Sequence, residues 1–105
     1  MHLNLEADFA AMLEEAIAAL KAGEAADAVC ARAQRAYERD VSYMDEQLGR
    51  LFARLKQDTD FETHVVVVSD HGESFGEGGS LGHGKRLTPD QIHVPLVISS
   101  PRVER

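Results

Sequence analysis

The residues best suited to chemistry are Ser69-Asp70-His71-Gly72-Glu73, which directly follow the four valines 65–68. An unbroken run of β-branched apolar residues is typical of a strand buried on both faces. Open α/β sheets present reactive groups at the carboxyl ends of their strands. Where Gly72 releases the chain, the side chains of Asp70 and His71 can converge on one ion. An Asp-His pair can also cap a strand or form a turn, but the flanking strand and loop favour a metal site.

A glycine-rich loop follows, with five glycines between residues 72 and 82. Such a loop lets the backbone approach a ligand closely, and His83 could bring a further imidazole across it. One carboxylate and two imidazoles suit zinc, manganese or iron better than calcium. Lys85 could face an anionic group of a substrate, although a lysine on a loop is usually just solvated. We expect Glu73 and Glu77 to hold the loop or face water.

Two amphipathic helices precede the valine run. Apolar residues in steps of three and four predict a first helix over residues 5–20, ending at Lys21-Ala22-Gly23, and a second over about residues 25–56. The apolar segment 92–99 predicts a second strand, with Pro95 near its start or at an edge. The apolar stripes of the two helices are Leu5, Phe9, Leu13, Ile17 and Leu20, and Val29, Ala33, Tyr37, Val41, Met44, Leu48, Leu51 and Leu55.

The element order helix, helix, strand, loop, strand predicts an α/β fold. Two strands are not a stable sheet by themselves. A strand of four valines needs cover on both faces, and two helices can supply one layer. The chain is therefore expected to be part of a larger domain, or to complete itself by association.

Composition limits the classes of partner. The chain has 105 residues and a formal net charge of −7, from 18 acidic and 11 basic residues. This charge argues against nucleic acid and against anionic membranes as partners. Cys30 is the only cysteine, which excludes an intramolecular disulfide. No basic segment followed by an apolar run opens the chain, so we expect no signal peptide and a cytoplasmic location.

Residues 37–101 resemble the C-terminal part of the catalytic domain of the sulfatase family, within the alkaline-phosphatase superfamily. The resemblance covers about three-fifths of the chain and leaves the N-terminal helix, residues 1–23, outside the clearest match. It is carried by Tyr37, residues 45–51, Leu55, residues 65–73, residues 82–84 and residues 94–98.

The resemblance implies metal-assisted hydrolysis or transfer of sulfate or phosphate esters on a doubly wound sheet. It implies that Asp70 and His71 bind a divalent metal, manganese, zinc or calcium, and that His83 binds substrate or a second metal. Many calcium-dependent sulfatases have asparagine after the aspartate. His71 looks more like the branches that bind manganese or zinc, which include phosphonate-ester hydrolases and membrane phospho-transferases.

The nucleophile of the family is missing from the pattern. That nucleophile is a cysteine within Cys-x-Pro-x-Arg, or a serine or threonine in relatives, and lies far upstream with further acidic ligands. The segment at Cys30 lacks the proline and falls in a helix. We therefore expect at most half of the site in this chain and no hydrolase activity from it alone.

Three functions stay open. The first is a metal-dependent hydrolase of sulfate esters, and the second is a phosphoesterase or phospho-transferase of the same superfamily. The third is a non-catalytic remnant that acts as an interaction module through its two helices. The expected partners are a sulfate or phosphate ester, and either a second copy of the chain or a missing N-terminal half.

Overall fold

The computed structural model describes residues 5–58 and 60–102, with residues 5–9 described only as helical backbone. Helices and strands both occur, so the predicted α/β class is confirmed. In chain order the elements are α1 (Leu5–Lys21), α2 (Ala26–Leu55), β1 (Val65–Val68), β2 (Ser74–Phe75), β3 (Leu81–Gly82), α3 (Pro89–Ile92) and β4 (Leu96–Ser99). The side chains of Leu5 and Phe9, predicted to be on the stripe of α1, lie outside the described residues.

Helices α1 and α2 pack against each other and form the buried core. Gly23 ends α1 with a φ of +89°, the left-handed conformation that glycine adopts without strain. The fully covered apolar side chains are the small ones at the contact, Ala16, Val29 and Ala33. The C-terminal half of the α2 stripe stays about half exposed at Met44 and Leu51. Among the described residues, no helix has the length and apolar character needed to cross a bilayer.

Strands β1 and β4 pair antiparallel, with Val65 opposite Ser99 and Val68 opposite Leu96. Val66 and Val68 are 61% and 60% exposed, so within the described part of the chain the strand is not buried on both faces. Val65 and Val67 instead line an open cavity of about 490 Å³ beside the C-terminal end of α2. The expectation of two covered faces is wrong here because α2 supplies cover on only one side of this sheet.

The second predicted strand is shorter than the apolar pattern indicates. Residues 92–99 were expected to be extended, but β4 is Leu96–Ser99, and Ile92 belongs to α3. Pro89 stands at the start of α3, where its fixed φ favours a helical turn and its missing N–H costs nothing. Pro95 directly precedes β4, near the strand start as the sequence predicts.

Strands β2 and β3 form a small hairpin that packs on both long helices. Ser74 pairs with Gly82, and Phe75 pairs with Leu81. The ring of Phe75 meets the ring of Tyr37 edge-on at a centroid distance of 5.2 Å, a favoured aromatic geometry. Tyr37, expected to be in the core, is 36% exposed. The contact between Phe75 and Tyr37 holds the hairpin against α2.

Gly72 lies where the loop after β1 passes under α3. Its N–H donates to the carbonyl oxygen of Gln91 at 2.8 Å. A Cβ at this position would lie 2.1 Å from the carbonyl oxygen of Asp90. That oxygen is a backbone atom and cannot rotate away as a side-chain tip would, so only glycine fits.

Replacing Gly72 by alanine should strongly destabilise the protein. Because the added methyl group overlaps the backbone of α3, Gly72→Ala should lower the free energy of unfolding by about 3 kcal/mol or more. Gly49→Ala is the matched control: its Cβ would meet nothing within 4 Å. In a helix interior this change should raise stability by up to about 1 kcal/mol. Urea unfolding followed by circular dichroism measures both, and equal effects would contradict the packing described for Gly72.

An ion pair joins the segment before β1 to the segment after β4. The guanidinium group of Arg102 donates to both carboxylate oxygens of Glu62, at 2.6 and 2.7 Å. This hydrogen bonding to Arg102 lowers the pKa of Glu62 below its usual 4.5. His64, whose Nδ1 lies 2.8 Å from the hydroxyl oxygen of Ser100, adds a second link between the same segments.

The Glu62–Arg102 pair should make stability depend on pH in a defined window. A carboxyl whose pKa is lower in the folded state stabilises the fold above its unfolded pKa, and this contribution is lost as the pH falls through the folded pKa. Glu62→Gln should therefore show a smaller drop in melting temperature than the wild type between about pH 5 and pH 3. Arg102→Gln removes the partner of Glu62 and should reduce the drop in melting temperature over the same pH range. A slope unchanged in both variants would contradict the pairing.

Candidate metal centre

His71 lies just beyond β1 in a turn fixed by its two predecessors. The hydroxyl of Ser69 donates to the carbonyl oxygen of His71 at 2.6 Å, and the N–H of His71 donates to Asp70 Oδ1 at 3.0 Å. The ring Nδ1 of His71 lies 2.8 Å from the carbonyl oxygen of Gly72. A carbonyl oxygen only accepts, so Nδ1 carries the proton. The lone pair that can bind a metal is then on Nε2.

His83 is oriented by Glu73. Its Nδ1 lies 2.8 Å from Glu73 Oε2, and the Glu73 side chain is only 4% exposed. The carboxylate accepts from Nδ1–H, which leaves the lone pair of His83 on Nε2. The other oxygen, Glu73 Oε1, is buried and has no hydrogen-bond partner among the described residues. Since an unpaired buried carboxylate oxygen is costly, this atom indicates a place for a positive ligand.

The two imidazole rings stack against each other. Their centroids are 3.7 Å apart and their planes differ by 23°. Ligand atoms of His71, Glu73 and His83 all lie within 4.8 Å of one another. Two atoms bound to one tetrahedral zinc ion lie about 3.4 Å apart, so the cluster must contract by up to about 1.4 Å to hold an ion. Two imidazoles and one carboxylate form a donor set that suits zinc, manganese or iron.

Of the four residues predicted for the site, the structure brings two together and leaves two outside the cluster. His71 and His83 lie together in this cluster. The Asp70 side chain is 89% exposed and outside the cluster, although its Oδ1 lies 3.7 Å from Nε2 of His71. Lys85 lies on the exposed loop two residues after His83. The metal role of Asp70 and the substrate role of Lys85 stay predictions.

Glu73 is the cluster member that the sequence did not predict as a ligand. It does not face water, because its side chain is buried against His83. The pattern His71-Gly72-Glu73 contains a usable signal: a glycine between two potential ligands lets the backbone turn so that both side chains share one side. The bond of Glu73 to His83 links the two ends of the loop, which is one of the two roles expected for Glu73. Glu77 also holds the loop as expected, since its Oε2 accepts the N–H of Phe75 at 2.5 Å.

A second polar cluster joins Ser74, the residue after Glu73, to α3. The hydroxyl of Ser74 donates to the carboxylate of Asp90. This bond is the main reason that the pKa of Asp90 is lowered below its usual 3.8. Ser74 in turn accepts a hydrogen bond from the side-chain amide of Gln91 at 2.8 Å. Polar groups of α3 therefore support the strand that follows Glu73.

Comparison with known protein families gives a match over nearly the whole chain. The family model described as Sulfatase matches residues 4–105, which include α1 as well as the loop that carries the cluster. No solved structure matches the chain.

Several curated relatives match between 59% and 69% of this chain. An uncharacterised sulfatase, YidJ of Escherichia coli strain K12, is 35% identical over 63 residues, which are 60% of this chain and 13% of the relative. The phosphoethanolamine transferase EptA of Salmonella typhimurium is 42% identical over 66 residues, 59% of this chain and 12% of the relative. A choline-sulfatase of Rhizobium meliloti is 34% identical over 73 residues, 69% of this chain and 14% of the relative. The chain thus matches only a small part of the length of these relatives.

The cluster should bind one divalent metal ion per chain. Cobalt(II) titration, followed by visible absorption, reports both affinity and ligand geometry. Because each histidine contributes a direct bond, His71→Ala and His83→Ala should each weaken binding by at least about 100-fold, and Glu73→Gln, which removes the partner of His83, by about 10- to 100-fold. His93→Ala removes an exposed histidine outside the cluster and should leave the affinity unchanged. Equal affinities in all four variants would place the ion elsewhere.

Proposed function

Because this chain belongs to the sulfatase family, we propose that it supplies part of the metal site of a metal-dependent hydrolase of sulfate esters. The family match confirms the predicted resemblance. The observation that carries the proposal is the convergence of His71, Glu73 and His83 behind a short strand. Two of the relatives are named as sulfatases, one of them for choline sulfate.

The donor set fits a zinc or manganese ion better than calcium, which prefers shells made of oxygen. His71 and His83 would bind through Nε2, and Glu73, whose Oε2 accepts Nδ1–H of His83, would orient that ring. Asp70, with Oδ1 at 3.7 Å from His71 Nε2, would join them after a change of side-chain rotamer. A bound ion of this kind polarises the ester group and lowers the pKa of a bound nucleophile.

The residues of the chain itself would bind and orient the substrate. The rings of His71 and His83 are 42% and 40% exposed, so one side of the cluster is open to an incoming ester. Lys85 would place a positive charge at this opening, where it can pair with a sulfate oxygen. Glu73 is buried on the opposite side, where it holds the imidazole of His83 in one tautomer.

The nucleophile would come from another part of the catalytic domain. Cys30 lies within α2, with its Sγ 3.1 Å from the position that a Cβ on Gly76 would take, and the proline of the family's cysteine motif is absent. The exposed valines and isoleucine of β1 and β4 offer an apolar surface for the segment that carries the nucleophile. The 105-residue chain alone should therefore bind metal without hydrolysing esters.

A phospho-transferase or phosphoesterase is the second candidate. The observation that favours it is the 42% identity to a phosphoethanolamine transferase over 66 residues. The two functions differ in the charge of the group transferred, since a phosphate monoester carries one more negative charge than a sulfate ester near neutral pH. A panel of paired sulfate and phosphate esters therefore separates them.

The proposed function is tested on the native polypeptide that contains these residues, captured with an antibody against the segment around Tyr37. It should hydrolyse 4-nitrophenyl sulfate faster than 4-nitrophenyl phosphate, lose activity with a chelator, and regain it with zinc or manganese. Because His71 is a proposed ligand, His71→Ala should lower kcat/KM by at least about 100-fold. His93→Ala should leave it unchanged.

Each alternative predicts a different result. Faster turnover of phosphate esters would favour the phospho-transferase or phosphoesterase. An interaction module predicts no stoichiometric metal and an association that survives His71→Ala. Full hydrolase activity in His71→Ala would show that the roles assigned to the cluster are wrong.

A further inference from the structure

Gln91 is a buried amide that no part of the proposed chemistry uses. It lies in α3, and its residue surface is 3% exposed. Its side chain has two N–H donors and one carbonyl acceptor. A buried amide without hydrogen-bond partners would destabilise the fold, because its donors and acceptor would lose their bonds to water without replacement. Each of its polar groups is nevertheless engaged.

The contacts of Gln91 are distributed over four segments. Its Nε2 donates to the hydroxyl oxygen of Ser74 at 2.8 Å and to the carbonyl oxygen of Gly82 at 3.4 Å. Its Oε1 accepts the N–H of Arg86 at 3.3 Å. Its backbone carbonyl accepts the N–H of Gly72 at 2.8 Å. The carbonyl of Gly82 only accepts and the N–H of Arg86 only donates, so the amide can adopt one orientation.

These partners are the sequence neighbours of the three candidate ligands. Gly72 separates His71 from Glu73, Ser74 follows Glu73, and Gly82 precedes His83. Every member of the cluster is therefore bonded covalently to a residue that Gln91 holds. The pairing of Ser74 with Gly82 already joins the two arms of the hairpin, and the Gln91 side chain bonds to both of these residues while its backbone holds Gly72.

We propose that Gln91 is the positioning residue of the cluster: its side-chain amide fixes His71, Glu73 and His83 relative to one another through Gly72, Ser74 and Gly82. It touches none of the three ligands itself. The inference rests on the proposed metal site for its function, but its geometric content concerns residues of this chain alone.

The test replaces the amide without changing the volume of the side chain. Gln91→Met leaves the backbone bond to Gly72 and removes the bonds to Ser74, Gly82 and Arg86. Gln91→Glu keeps the acceptor for Arg86 and removes both donors. Gln34→Met is the matched control. That glutamine is exposed on α2, and within the described part of the chain its amide nitrogen donates only to Glu38.

Two readouts are taken on the 105-residue chain at a temperature where circular dichroism shows each variant folded. Without metal, the nuclear Overhauser effect between the ring protons of His71 and His83 reports their stacking. With cobalt(II), the titration reports affinity and the visible spectrum reports ligand geometry. Both Gln91 variants should lose the ring contact, bind cobalt(II) about tenfold or more weakly, and show an altered spectrum. Gln34→Met should match the wild type.

A merely structural role predicts a lower melting temperature with an unchanged ring contact, affinity and spectrum in the folded protein, and that result would overturn the proposal. If both Gln91 variants fail to fold, Ser74→Ala decides, since it removes one partner of the amide with little change in volume. A weaker cobalt(II) affinity in that variant supports the proposal, and wild-type affinity overturns it.

Failure of the proposed function gives a different pattern. If the wild type binds no cobalt(II), the metal site is wrong, and the metal-free ring contact still decides the role of Gln91. Its loss in Gln91→Met supports positioning by the amide, and its retention overturns it.

Discussion

The close approach of α3 to the loop after β1 is the constraint on which the rest of the site depends. Gly72 donates its N–H to the carbonyl of Gln91, and the backbone of Asp90 occupies the space that any side chain at position 72 would need. This contact joins two segments separated by nearly twenty residues of chain. Because the Gln91 side chain also bonds to Ser74 and Gly82, α3 connects the loop that carries the first histidine to the hairpin that precedes the second.

The site consequently has one side made of buried, hydrogen-bonded groups and another side exposed to solvent. Behind the imidazoles lie buried groups with defined partners: Ser74, Gln91 and one oxygen of Glu73. The side chains of His71 and His83 are about half exposed, and Asp70 and Lys85 are exposed as well. Preorganised ligands with a solvent-facing side are what a metal site needs if a substrate is to reach the ion. The polar network on the buried side also costs the chain little, since its hydrogen bonds replace those lost to water.

The sequence predicts those parts of the structure that local patterns determine. The periodicity of three and four residues locates both long helices to within about a residue, and Gly23 marks the end of the first. The strand after position 64, and the pairing of two histidines across the glycine loop, also agree with the pattern. The place of Glu73 in the cluster, the short helix α3 and the contacts of Gln91 depend on distant segments, which no periodicity records. The burial of the valine strand was predicted wrongly for the same reason, since exposure depends on what packs against the strand rather than on its composition.

The pairing of β1 with β4 has a consequence for how the isolated chain behaves. Within the described residues each of these strands has one neighbour, so one edge of each presents unpaired N–H and C=O groups beside exposed valine, leucine and isoleucine side chains. Open, uncharged edges of this kind recruit further strands from other molecules. The segment Val65-Val66-Val67-Val68 has high β-propensity and no charge, which is the composition of fibril-forming peptides. A chain separated from whatever normally pairs with these edges would be prone to intermolecular sheet formation, and its solubility would fall with concentration.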